Sequence, residues 1–282
     1  MMAKNVWVFG ASSGLGLHTA QALRDAGFTV IAGARSFANA AKRADENCLP
    51  LDVTSEESVQ AFTAAAAAIT GAPDAIVYCA GVLNLGACET YEDCELRQVM
   101  DTNFFGLCRA VRHALPLMRA RKRGSIVVFS SINGLLGIPF EGAYTASKHA
   151  IEGYLECLRM EVMPFGIRVM VVEPGDHQSG SSAYRSRGRG MTPDSPYFSA
   201  YEKGTSVIRH DEQNGSDPDK LGRKVARALK KRRLPCKMCI AKWDQRLAVL
   251  LHDVLPVGLF SRFIRSYYGK SLNSTDKGDH NK

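Results

Sequence analysis

Asn5-Val-Trp-Val-Phe9 runs directly into Gly10-Ala-Ser-Ser-Gly14-Leu-Gly16, and the reading of this stretch decides the fold. Its first five residues are a short apolar run, the pattern of a buried strand. The glycines at 10, 14 and 16 follow, and then His18-Thr-Ala-Gln-Ala-Leu-Arg24 reads as a helix stopped by Gly27. Strand, glycine-rich turn and helix form the setting in which such a turn can hold a diphosphate. The glycines let the backbone turn tightly and come close to the anion. The helix N-terminus then offers free N–H groups and the positive end of its dipole. The spacing is three-then-one, not Gly-x-Gly-x-x-Gly, so the stretch alone also fits a plain turn between a strand and a helix.

Outward from this stretch, short apolar runs and helical patterns alternate. Further strands are expected at Thr29-Val-Ile-Ala32, Cys48-Leu-Pro-Leu51, Ala75–Cys79, Ser125–Phe129, Arg168–Val172 and Lys237–Ile240. Helices are expected from Ser58 to Ile69, from about Glu95 to Arg119, and from Tyr144 to about Met163. This order predicts an α/β, Rossmann-type doubly wound parallel sheet of about seven strands with helices on both faces. It reads as a single domain over residues 1–270, followed by a polar tail, 271–282, expected to be disordered. Ligands of such sheets bind beyond the strand C-termini, where the strand order switches. Gly10, Ala80, Ser131 and Pro174 all follow strand ends, so the motifs converge on one rim.

Tyr144-Thr-Ala-Ser-Lys148 places a phenol and an ammonium one helical turn apart, on one face. A free phenol titrates near pH ~10. A neighbouring ammonium favours the phenolate, so Lys148 is expected to lower the Tyr144 pKa and make an acid/base able to work near neutrality.

Together these residues resemble the short-chain dehydrogenase/reductase family over nearly the whole chain. Gly10, Gly14 and Gly16 fit its cofactor glycines, and Asp52 in Leu-Asp-Val-Thr fits its adenine-side acid. Ala80-Gly81, Asn103 in Thr-Asn-Phe-Phe-Gly, and Pro174-Gly175 fit three further motifs. Ser131 lies thirteen residues before Tyr144, as the family's catalytic serine does. Gly134–Phe140 and Pro164–Ile167 resemble the 17β-hydroxysteroid and retinol dehydrogenase branch. The resemblance implies hydride transfer between nicotinamide and a carbonyl or carbinol carbon, with Asn103, Ser131, Tyr144 and Lys148 as the catalytic set. Tyr144 would exchange the proton, Ser131 orient the oxygen, and Lys148 hold the nicotinamide ribose. Asn103 would hold a water linking Lys148 to solvent, or only bend its helix. The cofactor residues implied are Gly10, Ser12, Ser13, Gly14, Leu15, Gly16, Arg35, Asp52, Val53, Ala80, Gly81, Tyr144, Lys148, Pro174, Gly175 and Ser179. The chain departs from the pattern at Phe9, where a threonine is usual, and at Tyr78-Cys79, where an Asn-Asn pair braces the central strand.

The second strand ends in Ala34-Arg35-Ser36, with no acid to hold ribose hydroxyls. Arg35 can grip a 2′-phosphate, so NADP is expected ahead of NAD, although Arg35 could instead stack on the adenine. Leu135, Leu136, Ile138, Pro139 and Phe140 suggest an apolar pocket suited to a hydroxysteroid, a ketosteroid or a retinoid, and core packing explains some of them equally well. Glu141 and His177 stand where they could hydrogen-bond the far end of the substrate, or be ordinary solvated side chains. Residues 176–215 are expected to be a mobile substrate-covering insertion, with Arg185, Arg187 and Arg189 steering an acidic group or simply solvated. Residues 243–269 read as C-terminal helices that pack on the domain, cap the cleft or touch a membrane surface.

The net charge of +8 raises a nucleic-acid binder as a rival, but no such motif accompanies the basic runs at 119–123 and 230–233. A binding-only NADP sensor or scaffold is a second rival, disfavoured by the intact Ser131, Tyr144 and Lys148. The eight cysteines read as reduced thiols, with Cys79, Cys108 and Cys157 in core elements, and no metal site is expected from Cys236-Lys-Met-Cys239. No apolar stretch reaches the ~18 residues of a membrane span and no signal segment is read, so the expected location is cytoplasmic. Phe104, Phe105, Leu107, Val111, Leu155, Leu158 and Met163 offer outer apolar faces on two long helices, and a homodimer is expected through them.

Overall fold

Alternation along β1 (Asn5–Phe9) divides the core in two. Trp7 and Phe9 point to one face of the sheet, Val6 and Val8 to the other, and all four are fully buried. The computed structural model describes residues 4–39, 41, 45–180 and 185–269, so the expected tail at 271–282 lies outside the described residues.

Around β1 the sheet is built from β2 (Thr29–Ala34), β3 (Cys48–Pro50), β4 (Ala75–Tyr78), β6 (Gly124–Phe129), β7 (Ile167–Pro174) and β9 (Lys237–Ile240). A separate short pair is formed by β5 (Leu83–Leu85) and β8 (Arg185–Arg187). The seven-stranded order is β3-β2-β1-β4-β6-β7-β9, and each neighbouring pair is parallel. The chain works outward from β1 in one direction and then returns to β4 on its other side, so the switch lies between β1 and β4. Val6 and Val8 pack beneath α1 (Gly14–Asp25) and α7 (Pro218–Lys230). Trp7 and Phe9 pack beneath α2 (Glu56–Thr70), α4 (Gly106–Ala120) and α5 (Gly142–Val162). The expected doubly wound single domain is what forms.

The long helix expected from Glu95 to Arg119 is interrupted. α3 (Asp93–Met100) and α4 are joined by a π-helical turn, Asp101–Phe105. Tertiary contacts explain the break. The Tyr78 hydroxyl donates to the Thr102 carbonyl at 2.5 Å, and the Asn103 amide is clamped on both sides. A π turn is a common way for a helix to re-aim a side chain at a functional site.

The two departures from the family pattern meet in one aromatic cluster. Phe9 lies 5.1 Å from Phe62 and 6.2 Å from Tyr78 between ring centroids, and Trp7 lies edge-on to Phe62 at 6.4 Å. Glycines make the room. A Cβ on Gly33 would come within 2.7 Å of Phe62 Cε2, and one on Gly106 would overlap the Tyr78 hydroxyl. The central strand is thus braced by packed rings and one phenol–carbonyl bond in place of an asparagine pair.

Leu107, Val111, Leu155 and Leu158 are buried against the sheet, so four residues of the expected outer faces belong to the core. Phe105 and Met163 remain outside, 49% and 64% exposed. Cys157, read as a core thiol, is exposed. The 176–215 insertion carries secondary structure of its own. Its described part contains β8 and α6 (Phe198–Gln213). Its arginines are held by internal carboxylates: Arg185 by Glu212, Arg187 by Glu202, and Arg189 by Glu92 at 2.7 Å. Arg187 also stacks over Tyr201 at 5.2 Å. These pairs leave none of the three arginines as a free steering charge.

The C-terminal residues form α8 (Trp243–Val254) and α9 (Val257–Tyr268). Phe260 and Ile264 are buried with Leu136, and Gln245 bonds to Asp176, so both helices pack on the rim. Trp243, Leu247, Leu250 and Val254 form an outward apolar stripe on α8. Among the described residues no helix is long and apolar enough to cross a membrane.

Candidate active site

β1 ends at Phe9, and the chain leaves it through Gly10 at φ +86° and Gly14 at φ +53°. Only glycine adopts these values without strain. A Cβ on Gly10 would come within 2.6 Å of the Ala80 backbone, and one on Gly16 would collide with the Gly10 carbonyl oxygen. The turn is therefore closed onto the end of β4, and α1 begins immediately after it. α1 has no acidic residue in its first turn, so nothing of like sign opposes an anion at its free N–H groups. This cradle fits the diphosphate of a dinucleotide.

A single cleft of about 700 Å³ runs along the rim from this cradle. Gly10, Ser12, Ser13, Gly14, Leu15 and Gly16 line it, with Arg35, Asp52, Val53, Ala80 and Gly81. Ser131, Tyr144, Lys148, Pro174, Gly175 and Ser179 line it too, together with Glu141 and His177. Every expected site residue but one thus meets in one place. The exception is Asn103, which is fully buried behind the cleft wall. Its Oδ1 accepts from Val82 N at 2.8 Å, and its Nδ2 donates to Val82 O at 3.0 Å and Ser147 Oγ at 2.9 Å. Both ends of the amide tie the loop after β4 to α5.

Ser131 follows β6, and its Oγ donates to Asn133 Oδ1 and accepts from Asn133 N, each at 3.2 Å. It lies within hydrogen-bonding reach of the Tyr144 phenol. Tyr144 sits in the first turn of α5. Burial pushes its pKa well up, Glu141 adds to the rise, and the bond from Ser131 opposes it. Lys148, one turn later, is buried, and its Nζ donates to Phe129 O at 2.8 Å while standing 5.4 Å from the centre of the Tyr144 ring. Burial lowers the Lys148 pKa to about 8. The expected depression of Tyr144 by Lys148 is therefore not what this arrangement gives. Burial first, and then Glu141, raise the phenol, which keeps it in its proton-donating form.

Glu141 and His177 are not solvated side chains; they are 5% and 4% exposed. Glu141 accepts from Asn133 Nδ2 at 2.5 Å, so a chain of bonds runs from Glu141 through Asn133 to Ser131. His177 Nδ1 bonds to Gly175 O at 2.8 Å. Asn133, Asp176 and Glu212 are site residues that the sequence reading missed. Asn133 sits two residues after Ser131 and was open to a local search. Glu212 reaches the cleft only because α6 folds back across it. Among the described residues no group of three or more His, Cys, Asp or Glu could hold a metal ion.

The family description "short chain dehydrogenase" matches residues 4–189. A 3-ketodihydrosphingosine reductase of Bacteroides thetaiotaomicron is 32% identical over 268 residues, covering 95% of this chain and 99% of that protein. Retinol dehydrogenase 8 of Homo sapiens is 42% identical over 125 residues, 44% of this chain and 39% of that one. The solved short-chain dehydrogenase from Streptomyces avermitilis superposes with a TM-score of 0.77 at 29% identity, covering 94% of this chain and 98% of its own. The glycine cradle, the Ser131–Tyr144–Lys148 cluster and these likenesses agree: the chain belongs to the short-chain dehydrogenase/reductase family, as an NAD(P)-dependent oxidoreductase.

Proposed function

We propose that the protein is an NADP(H)-dependent reductase of a bulky, lipid-like ketone, able to run in reverse on the alcohol, and that it acts in the cytoplasm. The observation that carries the reading is the meeting of the two-glycine cradle with the Tyr144 and Ser131 hydroxyls in one cleft. When bound, the nicotinamide supplies or accepts the hydride. The chain does the rest. Ser131 orients the carbonyl oxygen, and Tyr144 donates its proton to that oxygen as the alkoxide develops. Lys148 holds the nicotinamide ribose in this reading, and Asn103 positions α5 through Ser147. A phenol kept protonated by burial suits the reductive direction.

Arg35 and Ser36 line the adenosine side of the cleft, with no acid at the end of β2, which supports NADP over NAD. Arg35→Asp is expected to weaken NADPH binding at least about tenfold while affecting NADH much less. Equal affinities of the unmodified protein for NADPH and NADH would sink the preference.

A second cavity of about 360 Å³, between Ile138, Pro139, Val257, Phe260 and Ile264, adds apolar space beside the loop that follows Ser131. Two relatives are named for a 3-ketodihydrosphingosine and for retinol. Both names denote lipid-like molecules, and they support the broad class; the steroid expected from the sequence is one member of it. NADPH oxidation is to be followed with a long-chain ketone, a ketosteroid and retinal, against short sugars and acyl thioesters. A clear preference for the polar set would refute the apolar substrate. The expected homodimer rests on Phe105 and Met163, and a monomeric mass by sedimentation at micromolar concentration would rule it out.

A further inference from the structure

Three buried side chains form a line of hydrogen bonds that ends in the cleft. Glu141, Asn133 and Ser131 are 5%, 4% and 8% exposed. Ser131 Oγ donates to Asn133 Oδ1 at 3.2 Å, and Asn133 Nδ2 donates to Glu141 Oε2 at 2.5 Å. The backbone is strained to bury Glu141 here. Phe140, just before it, takes φ +66°, which a bulky residue rarely adopts. The Phe140 carbonyl accepts from Gly86 N at 2.9 Å, and its ring lies edge-on to Tyr201 at 5.6 Å, so the turn is held from two sides.

In this arrangement every donor points toward Glu141. Ser131 spends its one proton on Asn133 and offers the cleft only a lone pair. An amide carries an acceptor and a donor, and turning it over exchanges them. Turned over, Asn133 would accept from Glu141 and donate to Ser131. Only a protonated Glu141 permits this, since a carboxylate is an acceptor alone. Thr145 Oγ1, 3.4 Å from Asn133 Nδ2, tolerates either face, because a hydroxyl both donates and accepts. Ser131 already accepts from the Asn133 backbone N–H, and with a second bond from the side chain its own proton is free for the cleft.

Burial raises the Glu141 carboxyl to about 8; Arg185 and the bond from Asn133 oppose the rise, and Asp176 and Glu212 add to it. The hydroxyls of Tyr91, Tyr144 and Tyr268, pushed up by burial, stay protonated beside it. We propose that Glu141 is a positioning residue: with its proton on, it turns the Asn133 amide so that Ser131 donates to the ketone oxygen, and with its proton off, it draws the Ser131 hydroxyl away. The inference rests on the reductase reading above and adds a control on the same site. Glu141 keeps its proton through the cycle, and the proton delivered to the alkoxide is that of Tyr144. Reduction is thus favoured below the Glu141 pKa and falls as the pH rises through it.

The test follows kcat/KM for one long-chain ketone with NADPH from about pH 6 to about pH 10, in the unmodified protein and in Glu141→Gln. The Gln amide does not titrate and donates to Asn133 Oδ1 at every pH. The ratio of Glu141→Gln to the unmodified protein should therefore rise at least about tenfold across the range, the order of one hydrogen bond to a developing oxyanion. Lys148 also titrates at about 8, but it is common to both proteins and cancels in the ratio. Two controls separate the relay from a plain effect of charge. In an Asn133→Ala background the rise should vanish, and Glu141→Leu, which removes the charge without supplying a donor, should stay below Glu141→Gln. Either control that folds decides between the two. A flat ratio, a rise that survives Asn133→Ala, or equal rates for the Gln and Leu variants overturns the role of Glu141 and leaves the reductase reading standing. No NADPH oxidation by the unmodified protein with any ketone overturns both.

Discussion

Tyr144→Phe is expected to lower kcat/KM with a ketone and NADPH by about 10²–10⁴-fold, the usual worth of a positioned acid. The ring stays and only the hydroxyl goes, so the Lys148 contact with the ring face is kept. NADPH should still bind within a few-fold, because the glycine cradle and the adenosine side are untouched. The loss should appear in kcat more than in KM, since the proton moves only in the transition state. A variant with near-normal turnover would show that the proton comes from elsewhere. Ser131 is the nearest alternative, and its own hydrogen bond to Asn133 Oδ1 makes it a poorer donor toward the cleft.

Gly16→Ala should be the most damaging single methyl in the chain. The added carbon would collide with the Gly10 carbonyl oxygen and press to 3.0 Å on Cys79 Cβ. Neither neighbour can yield easily, because Gly10 is locked against Ala80 and donates its N–H to Gly33 O at 2.9 Å. Forcing the turn open should cost about 3 kcal/mol. At roughly 2–4 °C per kcal/mol for a chain of this order of size, the Tm should fall by about 6–12 °C. NADPH affinity should fall with it, because the N–H groups of the turn would move off the diphosphate. Calorimetry and NADPH titration of the same variant check both effects, and an unchanged Tm with unchanged affinity would mean that the turn is looser than its geometry.

Much of this architecture can be read from short stretches, for a physical reason. Asn5–Gly16 carries strand, turn and helix signals within a dozen residues, and each is local. Ser131, Tyr144 and Lys148 were also legible, because one helical turn fixes the last two and the strand-end rule brings in the first. What the sequence hid depends on contacts far along the chain. The π turn at Asp101–Phe105 is braced by Tyr78, and nothing in the 95–119 pattern announces it. Arg185 and Glu212 are 27 residues apart, and their pairing needed α6 to fold back. Leu107 and Leu155 looked like candidates for an outer face because their helices carry wide apolar arcs, and periodicity alone does not say which half of an arc meets the sheet. The direction of the Tyr144 pKa shift was not legible in the sequence, because spacing shows a neighbouring charge but not how deeply the pair is buried.

The ring cluster beneath the rim restricts how this sequence can drift. Tyr78 and Gly106 interlock, as do Phe62 and Gly33, each ring occupying the space a neighbouring methyl would need. At either position a lone change is obstructed by its counterpart: a larger residue at 106 meets the phenol, and a smaller one at 78 leaves a void and loses the bond to the Thr102 carbonyl. The two members of each pair can therefore be exchanged cheaply only in concert, so their mutational effects are non-additive. Replacing Tyr78 alone by a smaller side chain therefore passes through a weakened protein unless its neighbours change with it.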